Sequence, residues 1–194
     1  GDDKGAVKII KEKIPLPASI GRVCPHPCEL DCRRNFVEQP LSIAYLKAFA
    51  ADNDLASGNP YKPECAPDTG KKVAIVGGGP AGLSAAAYLR KAGHAVTVYD
   101  AMPEMGGMLR YGIPAYRLPK DLVKKEVDLI ADTGVVMKNN IKLGEDITLA
   151  NLQKENDAVL VAIGAWQSSN VGCPGENVPG VLGGIDFLRD VNEG

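Results

Sequence analysis

The chain has 194 residues, 45% of them hydrophobic and 24% charged, with a net charge of −2. That balance describes a soluble chain with no basic surplus for nucleic acid or an anionic membrane surface. No apolar stretch reaches membrane-spanning length and the N-terminus is no signal peptide, so a cytoplasmic location is expected.

Asp2–Lys13 carries Val7, Ile9 and Ile10 among lysines and acids, which predicts a short amphipathic helix ending at Leu16-Pro17-Ala18. The run GRVCPHPCELDCRRN follows, with Cys24, Cys28 and Cys32 evenly spaced. Pro25 and Pro27 bar a helix through the first two thiols, and Glu29–Arg33 predicts one helical turn. Such a run can build an iron–sulfur cluster, hold zinc with His26 as a further ligand, or carry plain reduced thiols. Spacing leaves the three open. The chain has five cysteines, an odd number that argues against a disulfide scaffold, and Cys65 and Cys173 stand alone.

Leu41–Asn53 predicts an amphipathic helix with Ile43, Leu46, Phe49 and Ala50 on its core face. The Gly- and Pro-rich run Ala56–Lys72 reads as a linker. The expected division is therefore an α-helical domain at 1–58, a linker at 59–71 and an α/β domain at 72–194. The first part is too small for a large core and needs a cluster or its neighbour for support.

Val73–Asp100 carries the sharpest pattern. An apolar strand (Val73–Val76) runs into Gly77, Gly79 and Gly82 at G-x-G-x-x-G spacing, then a helix to about Gly93 and a second strand, Ala95–Tyr99, ending at Asp100. Gly77 permits the tight turn, Gly79 lets the backbone approach a pyrophosphate, and Gly82 lets the helix lie close to the sheet. Pro80 suits the first helical turn, and the helix N-terminus offers free N–H groups to an anion. Asp100 stands where an acid accepts hydrogen bonds from a ribose, and its charge disfavours a 2′-phosphate. The unit binds a dinucleotide, either FAD or NAD.

The run AMPEMGGMLRYGIPAYRLPK predicts a long ordered loop, in which Gly106-Gly107 lets backbone approach a ligand and Arg110 and Arg117 are candidates to neutralise phosphate. Pro119–Thr133 predicts a helix stopped at Gly134. Strands at Val135–Asn139 and Ile141–Leu143, a helix at Leu149–Glu155, a central parallel strand at Ala158–Ile163 ending at Gly164, and a helix at Gly184–Val191 complete the expectation. Gly164 then stands at a strand's carboxyl end, where open α/β sheets bind ligands.

Taken together, GRVCPHPCELDCRRN, VAIVGGGPAGLSAA, EMGGMLRYGIPAYRLPK, DAVLVAIGA and VPGVLGGIDFL resemble the small (beta) subunit of NADPH-dependent glutamate synthase and its relatives. Those relatives include the amino-terminal half of dihydropyrimidine dehydrogenase and the NADPH-linked subunit of ferredoxin-dependent transhydrogenases. Disulfide reductases place a redox cysteine pair after their Gly-Gly, whereas no cysteine lies here between Gly107 and Gly164. The resemblance implies an incomplete Rossmann-like FAD-binding domain preceded by a small all-α cysteine-containing domain. It implies FAD held along Gly77, Gly79, Pro80, Ala81 and Gly82, with Asp100 at the adenosine ribose in place of the usual glutamate. Gly107, Met108 and Arg117 would lie along the FAD, Leu143 would make a backbone contact to adenine, and Gly164 would follow the last FAD-side strand.

By the same resemblance Cys24, Cys28 and Cys32 match the later cysteines of a set holding [4Fe–4S] clusters, with Cys32 serving the other cluster. Lys47 stands where relatives place a glutamine or glutamate ligand, and an ammonium has no lone pair to give. Relatives carry further cysteines upstream and an NADPH domain downstream, so the chain is expected to be an internal fragment. The implied activity takes electrons from NADPH through FAD to a partner, such as the large (alpha) glutamate synthase subunit or another electron-accepting protein. No side chain is needed as nucleophile or general base. The alternatives are a non-catalytic docking module and an NADPH:ferredoxin-type oxidoreductase subunit.

Overall fold

The computed structural model describes residues 1–194, and its first helices follow from where acids and prolines fall. Helix α1 (Asp3–Ile10) begins where the Asp2 carboxylate accepts the Gly5 amide at 2.8 Å. The Leu16-Pro17-Ala18 run, expected to stop a helix, opens one. Helix α2 (Pro17–Val23) takes Pro17 in its first turn, where a missing N–H is no loss. His26 then turns left-handed (φ 45°), and α3 (Pro27–Leu30) and a 3₁₀ turn at Arg33–Phe36 carry the cysteine run.

Helix α4 (Ile43–Ala56) corrects the expected core face. It buries Ala44, Ala48, Ala50, Ala51 and Asp54, while Leu46 and Phe49 are 59% and 61% exposed and Ile43 also faces out. The reason is a close helix crossing with α2. A Cβ built on Gly21 would sit 2.7 Å from the Ala48 Cβ, so only small residues fit between the two axes.

The α/β part runs β1 (Lys72–Val76), α5 (Pro80–Lys91), β2 (Ala95–Tyr99), α6 (Met108–Tyr111), α7 (Lys120–Ala131), β3 (Val136–Lys138), α8 (Leu149–Glu155), β4 (Ala158–Val161) and α9 (Gly184–Glu193). Its four strands are parallel in the order β3-β2-β1-β4. This is the expected α/β class with a Rossmann-like sheet. Two strand expectations change. The strand expected to be central, β4, lies at the edge, with Leu160 and Val161 exposed, because nothing pairs with its outer side. Ile141–Leu143 is no strand: Asn140 at φ 56° turns the chain straight after β3, leaving a single bridge from Leu143 to Ile147.

One core joins the helical segment to the sheet, with Val7, Leu16, Ala18 and Ala51 buried in the same cluster as Ile75, Leu83, Val98 and Val123. The irregular stretch between α4 and β1 is strapped down at both ends. The Asp54 carboxylate accepts the Tyr61 amide at 3.0 Å, and Thr69 N–H donates to Gly93 O at 3.1 Å.

Glu126 of α7 closes the seam. Only 2% exposed, it accepts the amides of Ala18 and Ser19 at 2.7 and 2.8 Å, two donors that the first turn of α2 leaves without intrahelical partners. Burial raises its pKa above the ordinary value near 4.5, against the pull of those amides and the Lys11 ammonium. An acid whose folded pKa is raised binds more protons folded than unfolded. Its contribution to stability is therefore greatest below about pH 4.5 and declines as pH climbs through the raised value. We expect Glu126→Ala to cost about 3 kcal/mol in urea unfolding, because two buried amides lose their acceptor. Glu126→Gln should flatten the decline above about pH 4.5, and an unchanged slope would remove Glu126 as its source.

Candidate functional site

The carboxyl ends of β1, β2 and β4 meet at a loop whose glycines act by different means. Gly77 has φ +110°, and a Cβ there would lie 2.2 Å from Ala162 O, on the chain leaving β4. At Gly82 a Cβ would lie 1.8 Å from Gly77 O and 3.2 Å from the Ile75 side chain, so its absence lets α5 lie against the sheet. Gly79 differs. Its φ of −77° suits any residue, and the nearest atom to a Cβ would be Gly107 Cα at 3.8 Å. Here glycine keeps space open beside the first turn of α5, where backbone N–H groups lack intrahelical partners.

Asp100, at the tip of β2, is 8% exposed and binds main chain with both oxygens. Oδ2 accepts the Gly78 amide at 2.5 Å and Oδ1 the Met102 amide at 2.8 Å. The glycine loop and the 101–119 loop are thus held to one carboxylate. A second tie runs from Gly106 N–H to Gly78 O at 2.8 Å. Gly107, at φ 52°, brings its backbone onto Gly79; a Cβ there would be 2.7 Å from Gly79 Cα. Beyond it Arg110 pairs with Glu104 at 2.6 Å, and the Lys120 ammonium donates to the carbonyls of Leu109 and Ile113. Burial, and then Arg110, pull the Lys120 pKa down.

These loops enclose a cleft of about 210 Å³. Gly77, Gly79, Pro80, Ala81, Asp100, Gly107, Met108 and Gly164 line it, all of them candidates from sequence, together with Ala162, Ile163 and Trp166. Gly82 lies beneath it. Two candidates stand elsewhere. Leu143 packs beside Ala74, Val76, Tyr99 and Leu152. Arg117 is exposed and borders a larger cavity of about 750 Å³ with Arg22, Cys24, His26 and Phe49. Of the three lining residues that sequence reading missed, Trp166 carries the largest side chain. Its signal was available, since it is the single tryptophan and follows Gly164 by two positions.

Of the three cysteines of the helical segment, Cys24 and Cys32 are held as sulfur acceptors, but the three are not gathered. Cys24 Sγ accepts the His26 amide at 3.3 Å, and backbone N–H groups of Leu41 and Arg34 lower the Cys32 pKa. Cys28 is exposed, and no three His, Cys, Asp or Glu side chains anywhere in the chain lie close enough to hold a metal ion. Cys24, Cys28 and Cys32 therefore do not form a cluster site among themselves in this structure, and His26 completes none. No helix is long and apolar enough to cross a membrane.

Residues 71–193 match the family described as pyridine nucleotide-disulphide oxidoreductase, and residues 1–59 match dihydropyrimidine dehydrogenase domain II, 4Fe-4S cluster. The beta subunit of an NADPH-Fe(3+) oxidoreductase from Geobacter sulfurreducens is 44% identical over 97% of this chain, which covers 29% of that protein. The small chain of glutamate synthase [NADPH] from Bacillus subtilis is 36% identical over 95% of this chain, which covers 38% of it. Among solved structures, Mycobacterium tuberculosis FprA in complex with NADPH superposes with a TM-score of 0.56 at 30% identity, over 64% of this chain and 28% of that one. The chain thus spans about 30% of the length of the first curated relatives it matches. These matches agree with the resemblance carried by the motifs.

The glycine geometry separates binding from folding. Gly79→Ala should leave stability within about 0.5 kcal/mol yet weaken dinucleotide binding at least about tenfold, since its Cβ fills only cleft space. Gly82→Ala should instead cost at least about 2 kcal/mol, because its Cβ meets rigid backbone. Urea melts and dinucleotide titrations of both variants check this, and equal melts would overturn it.

Proposed function

This chain belongs to the pyridine nucleotide-disulphide oxidoreductase family, and we propose that it is the electron-input part of an NAD(P)H-dependent flavin/iron–sulfur oxidoreductase, with FAD in the cleft above β1. The observation that carries this reading is the juxtaposition of the open Gly79 backbone, the first turn of α5 and the Asp100 carboxylate around one cleft. Those groups fit a dinucleotide. Nothing but hydrogen projects from Gly79 into the space over the helix N-terminus, where a pyrophosphate gains N–H donors and a favourable dipole. Asp100 spends one lone pair of each oxygen on main chain and keeps others for ribose hydroxyls. Its negative charge disfavours a 2′-phosphate, so FAD suits this cleft better than NADPH.

FAD held there would supply the conversion between hydride transfer from a reduced nicotinamide and one-electron release. The chain's own residues bind and orient. Gly77, Gly79, Pro80, Ala81 and Gly82 shape the pyrophosphate cradle, Asp100 orients the ribose, and Gly107, Met108 and Gly164 close the sides. Arg117 and Leu143 lie outside the cleft, so their contacts to FAD rest on family resemblance alone. Residues 1–58 form a cysteine-bearing helical domain, 59–71 a linker and 72–194 the FAD domain, in line with the two family matches. Because Cys24, Cys28 and Cys32 are not gathered, each would serve a [4Fe–4S] cluster only with ligands from outside this set.

The acceptor is an electron-accepting protein such as a large glutamate synthase subunit, a reading supported by the small-chain name of one relative. Phe36, Val37 and Leu30, each 79% exposed or more, favour a docking role for the helical segment beside this activity. The test is incubation with FAD, desalting and an absorption spectrum, followed by NADPH and a dye acceptor. Retained, structured flavin bands are expected, together with NADPH-dependent dye reduction. A chain that passes the column colourless would sink the FAD assignment.

A further inference from the structure

Trp166 is fixed at the cleft in a way that mere filling of space does not require. Its indole N–H donates to Ile163 O at 3.0 Å, which satisfies the ring's one polar atom. The ring also tilts at 54° against Tyr111, with centroids 5.8 Å apart. Tyr111 is itself immobilised. It is 4% exposed, its hydroxyl bonds the Glu104 main chain at 3.1 and 3.2 Å, and its carbonyl accepts the Asn192 side-chain amide of α9 at 2.9 Å. The indole is thus a pre-oriented plane at the cleft wall, next to the apolar side chains of Met108 and Ile163.

Topology says which part of a ligand meets it. In the order β3-β2-β1-β4, β1 stands between β2, tipped by Asp100, and β4, which leads to Gly164 and Trp166. A dinucleotide with its pyrophosphate over the Gly79 turn and its adenosine ribose toward Asp100 must send its other half toward β4. Asp100 and Trp166 therefore serve opposite halves of one ligand. We propose that Trp166 is a cofactor-binding residue that packs against the flavin-bearing half of FAD, an inference that rests on the FAD reading above.

Trp166 is the single tryptophan of the chain, so its emission reports this one site. FAD should quench that emission, whereas ADP, which supplies the adenosine and pyrophosphate alone, should leave it unchanged. Trp166→Ala should weaken FAD binding about tenfold and leave ADP affinity unaltered, while Trp166→Phe, still planar, keeps most of the FAD affinity. If Trp166→Ala weakens FAD and ADP alike, the residue is only structural and the proposal fails. If FAD binds as tightly to Trp166→Ala as to the wild type, this inference fails and the FAD reading stands. If the wild-type chain binds no FAD, both fall together.

Discussion

The Asp100 carboxylate is the contact on which the cleft depends. A β2 strand that ended in an apolar residue would leave the Gly78 and Met102 amides without this acceptor, each at the cost of a lost hydrogen bond. With the acid present, the glycine loop leaving β1 and the long loop leaving β2 share one anchor, and Gly107 is brought onto Gly79. Around Gly79 the opening that remains is bounded by backbone rather than by side chains. Backbone suits a ligand whose central portion is a pyrophosphate, because amides supply donors without bulk.

The same device recurs at the other seams. Buried Asp54 takes the Tyr61 amide, and buried Glu126 takes the Ala18 and Ser19 amides. Each of the three buried acids, Asp54, Asp100 and Glu126, thus binds main-chain N–H groups where irregular backbone or a helix end enters the core. A charged acceptor at such a place answers donors that no ladder or helix can reach. At Glu126 it also ties stability to pH, since burial there opposes the charge that the amides favour.

These seams put the cysteine-bearing loop and the cleft in one frame. Helix α2 is clamped by Glu126 at its start and delivers Cys24 at its end, while α7, which carries Glu126, follows directly on the loop that contributes Gly107 and Met108. The outer face of α4, with Tyr45, Leu46 and Phe49 exposed, and the open edge of β4 lie on surfaces that this core does not use.

Local pattern determined a good deal. The strand–glycine–helix–strand run from Val73 to Asp100, the helices at Leu149–Glu155 and near Pro119–Thr133, and eight of the cleft's lining residues were legible, because turn chemistry, period and cap signals are short-range. Tertiary structure decided the rest. It decided that α4 buries alanines, since the distance to α2 and not the hydrophobic stripe sets which residues fit. It decided that Pro17 starts a helix, since a carboxylate more than a hundred positions away receives that helix's amides. It placed Trp166 at the cleft and Arg117 away from it, because a side chain's neighbours depend on strand order and loop path, neither of which a linear pattern encodes.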